Sequence, residues 1–190
     1  MARAIDAARY ILHLAGQEPE FEPITQMRLH KLLYYVQAWS LVDQNAPLFP
    51  EQLRAWKHGP MVKAIRDEFS AYDRAPIPAP DNWHADVLSA SERAIIESVW
   101  ESYKAYSPAQ LRKMTHHERP WREARGDRSE EEPSDEPMPQ QVIWQYFEDV
   151  RAQSEIPGLQ LHRIRHAEQE LDAGKGIPGD QVLSRLQNAV

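Results

Sequence analysis

Apolar positions recur at helical spacing along most of this chain, and prolines and polar clusters mark where the helices stop. Ile5, Ala8, Ile11 and Leu12 lie three or four apart, which predicts a first helix over about 4–14 that closes at Gly16. Thr25 suits the N-cap of a second helix carrying Leu29, Leu32, Leu33, Val36 and Leu41, up to the polar run Asp43, Gln44 and Asn45. This helix should be the most buried. The proline-punctuated stretch from Pro47 to Trp56 reads as a loop running into a brief extended segment. Pro60, after His58 and Gly59, takes the first-turn position of another helix, where its missing N–H is not needed, with Met61, Ile65 and Phe69 on one face. Pro76, Pro78 and Pro80 enforce an extended connection ending near Asn82.

Two well-marked helices follow. Ser89 with Glu92 and Ser107 with Gln110 fit capping boxes, ahead of Ile95, Ile96, Val99, Trp100 and Tyr103 in one case and of Leu111 and Met114 in the other. Residues 115–121 turn into a short helix, and Val142, Ile143, Tyr146, Phe147 and Val150 restore the period. After Pro157 and Gly158 comes a separable tail: a helix over about 159–173, a break at Gly174–Pro178, and a short amphipathic run through Val182, Leu183 and Leu186. The pattern predicts a mainly α fold: a compact helical domain over 1–150 with at most a small β element near 48–56, plus a C-terminal helical extension over 157–190.

Composition narrows the setting. A chain of 190 residues can bury a real core, and without cysteine it has no disulfide, thiol nucleophile or thiolate metal site. The start lacks the apolar core of a signal peptide, and no later stretch has the length for a membrane span, so a cytoplasmic location is expected. The net charge of -7 is unevenly placed: residues 1–126 carry 16 acidic and 16 basic side chains, whereas 127–136 carry six acids against Arg128. Residues 126–139 therefore read as a mobile loop that buries no apolar surface. No dense basic run suggests a nucleic-acid binder, although clustering in three dimensions stays open.

The eight histidines are the obvious chemistry, and spacing weakens most of them. His162 and His166 lie four apart on a predicted helix and could share a face, but no third ligand or base follows in a metal-binding pattern. His116 and His117 are neighbours and point about 100° apart. His116 with Glu118 could do acid–base work; the structural alternative has one histidine ordering the turn through the backbone while Trp121 packs beneath it. There is no phosphate-binding glycine loop and no serine nucleophile elbow. Trp39, Trp56, Trp100 and Trp121 sit among apolar neighbours, as core or as interaction anchors.

Three segments together resemble a known family. Leu29-His-Lys-Leu-Leu-Tyr-Tyr-Val-Gln-Ala-Trp39 resembles the Lys-Leu-Leu-Tyr-Tyr helix of the Panacea (SocA-like, GepA-like) antitoxin domain. Pro47-Leu-Phe49 with Ala55-Trp-Lys-His-Gly-Pro60 resembles its Ala-Trp-x-x-Gly-Pro turn, and Leu111-x-x-Met-Thr-His-His-Glu-Arg-Pro-Trp121 its Thr-His-x-x-x-Pro-Trp element. Order and spacing match, and Ile143-Trp-Gln-Tyr-Phe147 fits the closing helix; the acidic stretch at 127–136 departs from the pattern. The resemblance implies a non-enzymatic antitoxin, of phage and bacterial toxin–antitoxin pairs, that neutralises a cognate protein toxin by contact. For one relative, SocA, it implies an adapter role toward an ATP-dependent protease. It implies no cofactor. The motif residues Lys31, Leu32, Tyr34, Tyr35, Trp39, Trp56, Gly59, Pro60, Thr115, His116, Pro120 and Trp121 are expected to be mostly scaffold. The tail is similar to the closing segments of RelB- or ParD-like antitoxins, which makes Leu171, Val182, Leu183 and Leu186 candidate partner contacts. They could equally fold back on the domain or form a dimer contact.

Two rival readings stand beside this one: a small hydrolase or metalloenzyme using His116 or His162 and His166, and a DNA-binding autoregulator, which the balanced charge of residues 1–126 disfavours.

Overall fold

Helix α2 (Gln26–Asp43) is the axis of the fold, because its apolar residues occur on every side of the helix and each needs a neighbour to cover it. It packs against α1 (Ala4–Gln17), α4 (Ala90–Tyr103), α5 (Pro108–His117) and the second strand of a small hairpin. Leu29, Leu32, Leu33, Tyr34, Tyr35, Val36 and Ala38 are all essentially inaccessible. The computed structural model describes residues 1–154 apart from Asn82. The chain divides into two units, residues 1–147 and 148–190, and α2 with the core around it lies in the first.

The first unit is mainly α. Thr25 caps α2 by accepting from Arg28 N, and the capping boxes at Ser89 and Ser107 open α4 and α5. The strands β1 (Leu53–Trp56) and β2 (Gly59–Val62) form an antiparallel hairpin pairing Leu53 with Val62 and Ala55 with Pro60. Short helices α3 (Lys63–Glu68) and α6 (Arg119–Arg125) flank it, and α7 (Gln140–Ser154) brings Ile143 and Phe147 into the core.

Buried polar side chains of α2 fix the connecting segments. Gln37 donates to Phe49 O at 2.9 Å and accepts from Leu48 N and Phe49 N at 3.0 and 3.2 Å, and Ser40 donates to Ala46 O. A loop that runs beside a core helix must have its peptide groups paired, and one amide side chain pairs three of them. Arg28 does the same at the other end, its guanidinium donating to Glu22 O and Lys104 O.

Three expectations need correction. Pro60 does not begin a helix. It stands on β2 opposite Ala55, Met61 belongs to the same strand, and α3 starts only at Lys63. The register explains why a proline is tolerated: Ala55 N donates to Glu136 O at 2.8 Å, so this pair needs no N–H from residue 60. Gly16 does not stop α1, which continues to Gln17; a Cβ at Gly16 would lie 2.6 Å from Ala79 Cβ, so the glycine makes room for the proline-rich connection. The acidic stretch does bury apolar surface. Met138 is buried, its N–H donates to Leu53 O at 2.9 Å, and Arg54 bridges to Pro137, so 136–138 lines the free edge of β1. Its carboxylates meet cations and N–H donors, which composition alone does not reveal.

Candidate interaction site at the hairpin and the α5–α6 corner

Gly59, which opens β2 directly after the hairpin turn at 57–58, has φ of 101°, a conformation an L side chain rarely adopts, and this lets the chain reverse between Trp56 and Pro60. The turn presses on α2. Lys31 Nζ donates to Pro60 O at 3.2 Å within a site that leaves the lysine 2% exposed. Burial, with the charge of Arg112 adding to it, pushes the Lys31 ammonium down to about 7. Next to it on α2, His30 accepts from Val62 N at its Nδ1, and burial pushes its pKa down to about 3.

Helices α5 and α6 close on the same turn. Thr115 is fully buried, and its hydroxyl donates to Arg112 O at 3.0 Å. His116 stacks on Trp121 with ring centroids 3.9 Å apart, and Trp121 Nε1 donates to Trp56 O at 2.9 Å. The two roles foreseen for one histidine are divided: His117 Nδ1 meets Lys113 O at 2.7 Å, while His116 carries the contact with tryptophan. His116 Nδ1 lies 3.0 Å from Glu130 Oε2. Burial lowers the histidine pKa against the opposing pull of Glu130, which favours a neutral ring. A neutral imidazole can bond a carboxylate only as donor, so Nδ1 carries the proton and Nε2, which has no partner, is a buried acceptor.

The motif segments thus converge: Lys31, Trp56, Gly59, Pro60, Thr115, His116 and Trp121 meet at one corner of the domain. Tyr34, Tyr35 and Trp39 lie further along α2 in an aromatic cluster, where Tyr35 stacks on Tyr103 at 4.0 Å and Phe147 is edge-on to Trp39. Glu118, between α5 and α6, joins the two groups by accepting from Tyr35 OH at 2.9 Å. Leu32 is core, and Pro120 is buried in the first turn of α6. Leu171, Val182, Leu183, Leu186, His162 and His166 lie outside the described residues.

Sequence reasoning missed Arg125 and the acidic residues as members of this corner. Arg125 is 1% exposed, lies 4.8 Å from the Trp121 ring, and donates to Ala55 O, Ser129 O and Glu132 O. Its place four residues after Trp121, on the same helix face, was the available signal. Gly126, with φ of 61°, then turns the chain back over the hairpin. There Glu131 meets Lys57 Nζ at 2.7 Å, Asp135 accepts from Trp56 Nε1 at 2.7 Å, and Glu136 pairs with Arg128 at 3.0 Å.

Among the described residues no three histidine, aspartate or glutamate side chains form a group that could hold a metal ion, and no helix is long and apolar enough to cross a membrane. An open cavity of about 320 Å³ lies away from the corner, between the end of α2 and the start of α7; Leu41, Asn45, Gln140, Gln141 and Trp144 line it, and none of them ionises in the ordinary pH range.

No curated protein and no solved structure matches this chain. Residues 29–122, from α2 through the hairpin and α5 into α6, match the family model described as antitoxin SocA-like, Panacea domain. The match begins and ends on the motif segments that meet at the corner, and over residues 29–122 the chain carries a domain of the SocA-like Panacea family.

Proposed function

We propose that this protein is the antitoxin of a toxin–antitoxin pair and neutralises its cognate protein toxin by direct binding, without catalysis of its own. The observation that carries the reading is the family match over residues 29–122. The fate of the motif side chains supports it. Lys31, Thr115, His116 and Trp121 are buried and engaged with one another or with backbone, which suits a rigid platform better than a reaction centre. Such a platform offers its partner a pre-organised surface and limits the ordering cost of association.

In this reading the domain of residues 1–150 supplies the platform, the tail of residues 157–190 adds a second contact through Leu171, Val182, Leu183 and Leu186, and the complex forms in the cytoplasm. Delivery of the toxin to an ATP-dependent protease would use the same contact. Co-expression with the product of the neighbouring gene tests the proposal: growth should be rescued and the two proteins should co-purify. Failure of both would remove the antitoxin role. Deletion of 157–190 should weaken rescue, and full rescue by the truncated chain would confine the toxin contact to residues 1–156.

A further inference from the structure

Basic side chains are scattered along the sequence but gather in the fold. The hairpin and α3, 53–68, and the α5–α6 segment, 112–126, together carry nine basic and four acidic residues. In space the segments adjoin, since α5 packs on β2 and α6 on β1. Burial, then the charges of Arg112, Lys57 and Lys31, lower the pKa of His58, and Arg112 also acts on Lys31, His116, Glu130 and Glu131, so these groups share one neighbourhood. Over this corner lies the segment 127–136, which starts only a few residues beyond the end of the family match at 122.

The backbone of the segment is held at two places. Arg125 grips the carbonyls of Ser129 and Glu132 at one end, and Glu136 and Met138 pair with the edge of β1 at the other. In the turn between the two carbonyls that Arg125 grips, Glu130 and Glu131 reach down to His116 and Lys57, yet their side chains remain 60% and 74% exposed. One carboxylate in a hydrogen bond to a neutral ring and one in an ion pair, both that exposed, exchange readily with solvent. Both carboxylates can therefore swing away while the backbone stays, which uncovers Lys57 and the buried Nδ1 of His116.

The geometry points to a carboxylate-binding site formed by Lys57, Arg112 and His116, in which Glu130 and Glu131 stand in for an acidic segment of a protein partner. Competition from the tethered pair sets its affinity. The stand-in is polypeptide, with adjacent glutamates meeting two separate donors, so a short acidic stretch of chain reproduces its chemistry. A nucleic acid fits less well, because the anchored segment keeps Asp127, Glu132, Asp135 and Glu136 beside the site and repels an extended run of phosphates. The inference rests on the antitoxin reading only in taking the partner to be a protein.

Fluorescence anisotropy with labelled hexaglutamate tests it on the full chain. Glu130→Gln with Glu131→Gln should tighten binding about tenfold, the factor that one competing hydrogen bond and one competing surface ion pair supply together. Adding Lys57→Gln and Arg112→Gln should abolish the gain, and salt should weaken binding throughout. On the wild-type protein, hexaglutamate should shift the NMR resonances of the His116 ring and of Lys57, a readout that needs no variant. Equal affinity of the wild type and the double variant, or ring resonances that do not move, would overturn the site. So would hexaarginine binding the wild type and losing affinity in the double variant, because the acidic segment would then itself be the docking surface. Loss of the peptide result with toxin neutralisation intact leaves the antitoxin reading standing; peptide binding without neutralisation leaves the site and removes that reading.

Discussion

Lys31 and Gly59 touch so closely that a Cβ on the glycine would stand 2.5 Å from Lys31 Cε and 2.9 Å from both Lys31 Nζ and Thr115 Oγ1. The hairpin turn, the central helix and α5 are thereby locked at one point, which no two of them would fix alone. Gly59→Ala meets two penalties, the strained φ of 101° and the displacement of a buried ammonium that has little room to retreat. Urea unfolding should show a loss of about 2–4 kcal/mol. A loss below about 1 kcal/mol would mean that the turn relaxes and the three elements are not locked there.

The same lysine makes stability depend on pH. In the unfolded chain its amine stays protonated up to about 10.5, whereas in the folded protein it releases its proton near pH 7. Between those values the unfolded state binds more protons, so this group's contribution to stability rises with pH from 7 toward 10.5 and is flat below 7, where both states are protonated. Lys31→Met should remove that rise, worth about 1 kcal/mol per pH unit in the wild type. Unfolding free energies of both proteins at pH 7, 8 and 9 isolate the effect as a difference; parallel pH profiles would show that Lys31 keeps its charge on folding.

Gly16 tests the reading of the first helix. Alanine in an exposed helix gains up to about 1 kcal/mol over glycine, and less in the last turn, where Gly16 lies. Here the added Cβ would fall 2.6 Å from Ala79 Cβ and push the proline-rich connection outward, so Gly16→Ala should gain nothing or lose stability. The double variant with Ala79→Gly should recover the usual helix gain in thermal unfolding. A gain from the single substitution alone would make Gly16 an ordinary weak spot.

Where local chemistry decides the outcome, the fold is legible in the sequence. Thr25, Ser89 with Glu92, and Ser107 with Gln110 start the helices they mark, because a capping side chain acts on backbone within three residues. What fails is set by distant partners. Proline at a first helical turn and proline at a strand position that needs no N–H look alike locally, and only the bond from Ala55 N to Glu136 O separates them. The residue types of the motif suggest scaffold, but their meeting around a buried lysine depends on packing between α2, the hairpin and α5. Composition makes the acidic segment look unable to pack. It does not count the cations and indole N–H that another part of the chain holds ready, nor the single methionine at the segment's end.

Arg125 is what ties that segment to the motif corner. Its planar guanidinium reaches Ala55 O on β1 and the carbonyls of Ser129 and Glu132 on the segment while lying over Trp121. Lysine carries the same charge but lacks the planar fork, so Arg125→Lys leaves at least one buried carbonyl unpaired. The expected cost is about 1–3 kcal/mol, and it should fall unevenly. Hydrogen exchange should accelerate at the amide of Glu132 and its neighbours and at Ala55, whose N–H depends on Glu136 O, while protection in α2 and α4 stays as in the wild type. Uniform loss of protection across the domain would mean that Arg125 supports the core as a whole, and unchanged exchange at 129–136 would mean that the bonds from β1 hold the segment without it.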